Sequence, residues 1–234
     1  MKKITIVIPC YNESDSLPEL IRQIKKVSLD FNFILVNNGS TDDTENILKS
    51  IEFPKNIEVL KKDTNNGYGA GIKYGLSNVK TEFAGWMHAD LQQEANNVLF
   101  DAKLLLENID SLEKSDLYAL KGIRSGRSTY ENFFTFGVSL FSSLLFFRKF
   151  WDIAGQPNIF KTSSLEFINN APDGHNFEFY VYIHFLMKGG IYKRFKAPFL
   201  KRRFGSSSWD KGLISKLKHA KYIFKYLLHL RSRY

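Results

Sequence analysis

Apolar and polar positions change their period along the chain, and the changes mark its elements. ITIVIP (4–9) and FNFILV (31–36) are near-continuous apolar runs, the pattern of strands covered on both faces. Between them Leu20, Ile21, Ile24 and Val27 recur at the spacing of one helix face. Ser16-Leu17-Pro18-Glu19 has the spacing of a capping box that would open this helix. The unit is strand, helix, strand. The alternation continues with a helix over Thr41 to Ile51, a strand at IEVL (57–60) and a helix over Gly69 to Leu76. Strands follow at EFAGWM (82–87) and SDLYALKG (115–122). This order predicts an α/β fold with a doubly wound, mostly parallel sheet.

The second half has a different pattern. NFFTFGVSLFSSLLFFRKFW (132–151) is rich in Phe and Leu, but its uncharged stretch from Phe133 to Phe147 is shorter than the roughly 18 residues of a spanning helix. It reads as a core or interfacial helix. In LISKLKHAKYIFKYLLHL (213–230), Leu213, Leu217, Ile223, Phe224, Leu227 and Leu228 stand against Lys216, Lys218, Lys221 and Lys225. That is a basic amphipathic helix, suited to a membrane interface or to packing on its own domain. No repeat, low-complexity segment or linker interrupts the chain.

Composition adds two constraints. With 234 residues, 44% of them apolar, the chain can bury one substantial core. Its one cysteine, Cys10, excludes an internal disulfide framework, and Met-Lys-Lys leads straight into a strand pattern, so the expected compartment is the cytosol. Charge is more informative by position than in total. From Lys188 onward 14 Lys and Arg face one acid, Asp210, about +13, which leaves about −4 for the first 187 residues. The basic end suits an anionic partner: nucleic acid, anionic lipid or a diphosphate substrate.

In doubly wound sheets ligands bind at the carboxyl ends of the strands. The odd polar clusters all fall there: Tyr11-Asn12-Glu13, Asn37-Asn38-Gly39-Ser40, Asn65-Asn66-Gly67-Tyr68-Gly69 and His88-Ala89-Asp90. Clusters on one rim imply one site.

The ordered set VIPCYNES, LVNNGSTDDT, NNGYGAGIKYGL, GWMHADLQQ, KGIRSGR, DIAGQPNIF and KRRFGSSSW resembles family 2 glycosyltransferases of the GT-A fold. The likeness is strongest to the branch of dolichyl-phosphate mannosyltransferases and bacterial polyprenyl-phosphate glycosyltransferases. It covers about residues 1–210, leaving 211–234 as the basic C-terminal helix. The resemblance implies inverting transfer of a sugar from a nucleotide-diphosphate sugar, with Mn²⁺ or Mg²⁺ as cofactor. It implies donor contacts from Pro9, Tyr11, Glu13, Asn37, Asn38, Gly67, Gly69, Lys73, His88 and Ala89. Asp90, with His88 and Gln92, falls where the family holds its metal, and Gly67, Gly69 and Ala70 would let backbone approach the donor. Arg124, Arg127, Arg202 and Ser207 fall where acceptor phosphate would be held.

The departures bear on substrate. Where the family usually has Asp-Asp-Gly-Ser and Asp-Ala-Asp, this chain has Asn37-Asn38-Gly39-Ser40 and His88-Ala89-Asp90. An amide oxygen accepts uracil N3–H but loses the charge-assisted pairing that guanine offers, which favours a UDP-sugar. Imidazole ligation suits Mn²⁺ better than Mg²⁺. Ser208 replaces the usual Lys of the late basic motif. PDGHNFEFY (172–180) offers Asp173, His175 and Glu178 but lacks the Glu-Asp pair of hydroxyl-using members.

Asp90, Arg202, Glu178 and Asp173 are therefore the candidate catalytic residues. The expected acceptor is a membrane polyprenyl phosphate. The alternatives are a hydroxyl of a lipid-linked or cell-surface glycan, and a non-catalytic basic binding module. No nucleic acid is expected as partner. The expected setting is the cytoplasmic face of an anionic membrane, with a membrane protein or a second copy as a possible companion.

Overall fold

The computed structural model describes residues 3–27, 30–109, 117–204 and 213–234, and leaves the side chains of Ile109, Leu213 and Lys216 undescribed. Its elements are β1 (Ile4–Cys10), α1 (Leu17–Ile24), β2 (Phe31–Asn38), α2 (Thr44–Ser50), β3 (Ile57–Lys62), α3 (Tyr68–Leu76) and β4 (Phe83–Trp86). Then come α4 (Ala95–Ile109), β5 (Tyr118–Ser125), α5 (Thr129–Phe146), β6 (Asn158–Lys161), α6 (Phe177–Met187), β7 (Ile191–Pro198) and α7 (Leu213–Arg231). The strands form one sheet in the order β3-β2-β1-β4-β6-β5-β7. Only β6 runs against its neighbours β4 and β5. The six parallel strands therefore end on one rim, at Cys10, Asn38, Lys62, Trp86, Ser125 and Pro198.

Strand alternation sends side chains to two cores. Ile4, Ile6, Ile8, Phe31, Phe33 and Leu35 pack with Leu20, Ile21 and Ile24 of α1 and Leu99, Ala102 and Leu106 of α4. Val7, Ile34, Val36 and Trp86 face the other way and pack with α3, α5, α6 and α7. Coverage on both faces is why the first strands read as continuous apolar runs.

The expected capping box at Ser16 does not form. The Ser16 hydroxyl donates to the Glu13 carboxylate and to the Glu13 carbonyl at 3.2 Å, while Glu19 turns to Arg22. A capping box forms instead at Ser128, whose side chain accepts from the Glu131 N–H at the start of α5.

The C-terminal helix packs on its own domain, one of the two settings its pattern allows. Ile223, Leu227 and Leu230 of α7 are buried in the second core, and Phe224 lies edge-on to Phe141 of α5 at 4.7 Å. Ile223, Phe224 and Leu227, read from sequence as part of an interfacial face, thus hold the helix to its own domain. Among the described residues no helix is long and apolar enough to cross a membrane.

Candidate functional site

The loops after β1 and β2 are laced into one surface. The Asn12 N–H donates to Ser40 Oγ at 3.1 Å, the Thr41 N–H to Asn12 Oδ1 at 2.8 Å, and the Glu13 N–H to Thr44 Oγ1 at 2.9 Å. Tyr11 stands exposed at the lip, and Pro9 is half-buried beneath it.

The two amides at the end of β2 divide their work. Asn37 Oδ1 accepts the Ser40 N–H at 3.1 Å and so closes the turn after the strand. Asn38 donates to the Gly67 carbonyl at 3.0 Å, while its Oδ1, fully buried, has no partner. An unpaired buried carbonyl is costly by about 1–3 kcal/mol, which a ligand N–H would recover. Asn38, rather than Asn37, is the amide whose carbonyl is left without a partner.

At the end of β4, His88 is half-buried and its ring stacks on Tyr68 at 5.0 Å. Tyr68 in turn stacks on His175 at 6.1 Å. Burial, with His88 nearby, holds the His175 imidazole below its ordinary pKa. Ala89 turns its methyl into the first core, so only its backbone faces the rim.

Asp90 Oδ1 accepts the Gln92 N–H at 3.1 Å, and Oδ2 accepts Arg202 at 2.7 Å. Arg202 reaches Asp90 because the chain after β7 pairs with the loop after β4: the Leu200 N–H donates to the Gln92 carbonyl at 2.7 Å, and the Gln92 amide to the Leu200 carbonyl at 3.3 Å. Glu13 joins this group. Burial raises its pKa, the Ser16 hydroxyl opposes that, and both Asp90 and Arg202 act on it through space. The rim thus gathers Glu13, Asn38, His88, Asp90 and Arg202 from four separate segments.

Other expected site residues are occupied differently. Gly67 and Gly69 do admit a close backbone approach, but it is the chain's own. A Cβ at Gly67, whose φ is 114°, would lie 2.4 Å from the Asp173 carbonyl, and one at Gly69 would lie 2.4 Å from the Pro172 carbonyl. Lys73 holds the same loop, donating to the Ala171 carbonyl at 2.8 Å and pairing with Asp173 at 2.7 Å.

Arg124 is committed to buried Asp152, donating through its N–H at 2.8 Å and Nε at 3.0 Å. Arg127 donates to Thr135 at 2.8 Å, and both guanidinium groups lie 5.6 Å from the Phe199 ring. Arg127 Nε is buried without a partner, whereas Arg124 turns its Nε and one Nη to the Asp152 carboxylate. Ser207 lies outside the described residues.

Glu178 is buried, not exposed to an incoming acceptor. Its Oε1 accepts Trp86 Nε1 at 2.8 Å, Gln156 Nε2 at 2.7 Å and the Tyr68 hydroxyl at 3.0 Å, and its Oε2 accepts Asn158 Nδ2 at 3.1 Å. Asn158 also accepts buried Lys121, whose amine burial pushes down to about 8. This network fixes Tyr68, the platform beneath His88. Sequence reading missed Tyr68, Trp86, Gln156, Asn158 and Lys121 as site supports. DIAGQPNIF and NNGYG carry three of them, yet nothing in the spacing says that they meet.

The arrangement can place a divalent ion against a diphosphate. A carboxylate and an imidazole two residues apart fit Mn²⁺, a hard-to-borderline ion that takes its remaining ligands from water and phosphate oxygens. Among the described residues no group of three His, Cys, Asp or Glu could hold a metal by itself. An ion here would share its ligands with a bound diphosphate.

Residues 5–114 match the profile of glycosyl transferase family 2. Among solved structures, glucosyl-3-phosphoglycerate synthase from Mycobacterium tuberculosis, in complex with Mn²⁺, UDP and glucosyl-3-phosphoglycerate, is 16% identical over 98% of this chain and 80% of that chain, with a TM-score of 0.69. The mannosyltransferase PcManGT from Pyrobaculum calidifontis, in complex with GDP-Man and Mn²⁺, is 16% identical over 97% of this chain and 64% of its own, with a TM-score of 0.67. Residues 1–349 of TarS from S. aureus are 19% identical over 86% of this chain, with a TM-score of 0.55, and this chain spans 58% of that fragment. At these identities the structural likeness is one of fold.

Proposed function

We propose that this chain, whose residues 5–114 match the profile of glycosyl transferase family 2, is a glycosyltransferase of that family and moves a sugar from a nucleotide-diphosphate donor to a membrane polyprenyl phosphate. The observation that carries the donor half is the rim of Asn38, His88, Asp90 and Arg202. One amide carbonyl is left to read a base, and beyond it an acid, an imidazole and a guanidinium are grouped where a diphosphate would lie.

In the transfer, the acceptor oxygen forms its bond to the anomeric carbon as the bond from that carbon to the diphosphate breaks, and the nucleoside diphosphate leaves. Asp90 and His88 would hold a divalent ion, which supplies positive charge to the departing diphosphate. Arg202 is placed to add a second positive charge beside it.

The acceptor half rests on what the carboxylates of 172–180 are engaged in. A hydroxyl must lose its proton during attack, so it calls for a positioned base. Glu178 is saturated by four donors, and Asp173 is paired with Lys73. A phosphate acceptor is already anionic and needs no base. Comparing turnover on polyprenyl phosphate with turnover on hydroxyl-bearing glycolipids tests this, and preference for the hydroxyl would replace the reading.

The unpaired Asn38 carbonyl favours a uracil N3–H. With Mn²⁺ and UDP at about a hundred times its dissociation constant, stabilisation of about 2.7 kcal/mol should raise the melting temperature by roughly 5–10 °C. GDP should give less, and an equal or larger rise with GDP would reverse the donor assignment. His88→Asp restores a second acid. It should keep turnover and shift the ratio of Mg²⁺- to Mn²⁺-supported rates towards Mg²⁺ by about threefold or more. An unchanged ratio would place His88 outside the ion's ligands.

A further inference from the structure

Helix α5 buries Val138, Ser139, Ser142 and Phe146 and leaves the opposite side uncovered. Phe133, Phe136, Leu140, Leu144 and Phe147 are all exposed, Phe133 at 74% and Phe147 at 82%. At about 100° per residue the four that lie on α5 fall within roughly 80° of arc and form one continuous stripe, with Phe147 just past the helix end. Exposed large apolar side chains scattered singly mean little, but a stripe running the length of a helix needs a partner.

The adjoining helix repeats the spacing with a different chemistry. Phe141 meets Phe224, Phe146 meets Tyr234, and Arg231 lies over Phe147 at 5.8 Å, so α5 and α7 run side by side in the same direction. The outer side of α7 carries exposed Ile214, Leu217, Lys221, Lys225 and Leu228, with Lys218 and Tyr222 beside them. Arg148 and Lys149, at the end of α5, are exposed as well. No Asp or Glu occurs from Asn132 to Trp151 or from Leu213 to Tyr234.

We infer that the α5–α7 face docks on an anionic lipid bilayer, with the α5 stripe entering the interface and the α7 lysines meeting headgroups. The charge selects this occupant. Two copies of a face that bears only cations repel one another, whereas an anionic surface attracts each exposed Lys or Arg. An apolar stripe flanked by lysines is the pattern of a helix lying in the interface plane.

The inserting element is therefore α5 rather than the α7 residues Ile223 and Leu227, which are spent on the core. Both helices start next to the catalytic rim. α5 follows Ser125 at the end of β5, and Tyr130 and Phe133 in its first turns are exposed there. A bilayer on this face would lie at the mouth of the site. The inference stands on the surface alone and does not need the acceptor to be a lipid.

The test uses the full chain and vesicles of phosphatidylcholine with phosphatidylglycerol, without nucleotide sugar or polyprenyl phosphate, so failure of the acceptor reading cannot affect it. Sedimentation should show Phe136→Ser/Leu140→Ser/Leu144→Ser binding at least tenfold more weakly than the parent. Lys218→Gln/Lys221→Gln/Lys225→Gln should bind more weakly than the parent at low salt and should lose less of its binding than the parent as salt rises. Each side chain is exposed, so melting temperatures should match the parent.

Cys10 is buried, which leaves a cysteine introduced by Leu144→Cys free to carry an environment-sensitive fluorophore. Its emission should rise and shift blue on anionic vesicles, while the same label at exposed Glu58→Cys on β3 should not respond. Full binding by the serine variant, or a silent label at 144, would overturn the inference. So would concentration-dependent dimerisation that the serine substitutions abolish, which would make the face an interface between copies.

Discussion

Asp90→Asn should lower turnover by about a hundredfold or more, some 2.7 kcal/mol of barrier, while leaving the fold intact. The carboxylate stands at the end of β4 with its side chain 11% exposed, and Arg202 is its counter-charge. Asparagine keeps an oxygen to accept the Gln92 N–H but loses the charge that a divalent ion and a guanidinium require. The stability cost is small because Arg202 is 32% exposed, so water screens much of the pair, which is worth at most about 1 kcal/mol. The melting temperature should fall by no more than about 4 °C. Two readouts report on the site without any acceptor. Donor hydrolysis by the purified chain reports leaving-group departure without any acceptor, and stabilisation by Mn²⁺ with UDP reports the ion. Asp90→Asn with the parent's hydrolysis rate and the parent's stabilisation would remove Asp90 from the metal site.

The first half of the fold was legible because its physics is local. ITIVIP and FNFILV are buried on both faces, and buried parallel strands advertise themselves as apolar runs. The second half hid its strands. β6 is four residues, Asn158–Lys161, inserted antiparallel between β4 and β5, and β7 is an edge strand whose residues alternate exposed and buried under a basic sequence. α5 and α7 were legible as helices, but which face of each meets the core depends on their packing together. The rim residues Glu13, His88 and Asp90 announced themselves as polar breaks after apolar runs. The Glu178 network did not, because its partners lie 20 to 110 residues away in sequence and each reads alone as an ordinary aromatic or amide.

Glu178→Gln should lower the melting temperature by roughly 6–12 °C, and turnover per folded molecule should stay within about tenfold of the parent. One carboxylate here accepts from Tyr68, Trp86 and Gln156 through Oε1 and from Asn158 through Oε2. A glutamine that keeps its oxygen at the first position turns an amide N–H towards the Asn158 amide, donor against donor. Flipped, it faces three donors instead. The substitution also removes the anion that draws the fully buried Lys121 amine back towards its charged form. Breaking a buried charged cluster from one side costs about 3–5 kcal/mol, and at about 2–4 °C per kcal/mol for a chain of this size the lower end of that cost gives the stated shift. Activity should suffer only as far as Tyr68 loosens beneath His88. Thermal unfolding and initial rates on the same preparation separate this anchor from a catalytic base. A base would lose its pH–rate limb and nearly all turnover on becoming an amide, with the melting temperature unchanged, and that pattern would return the acceptor to a hydroxyl.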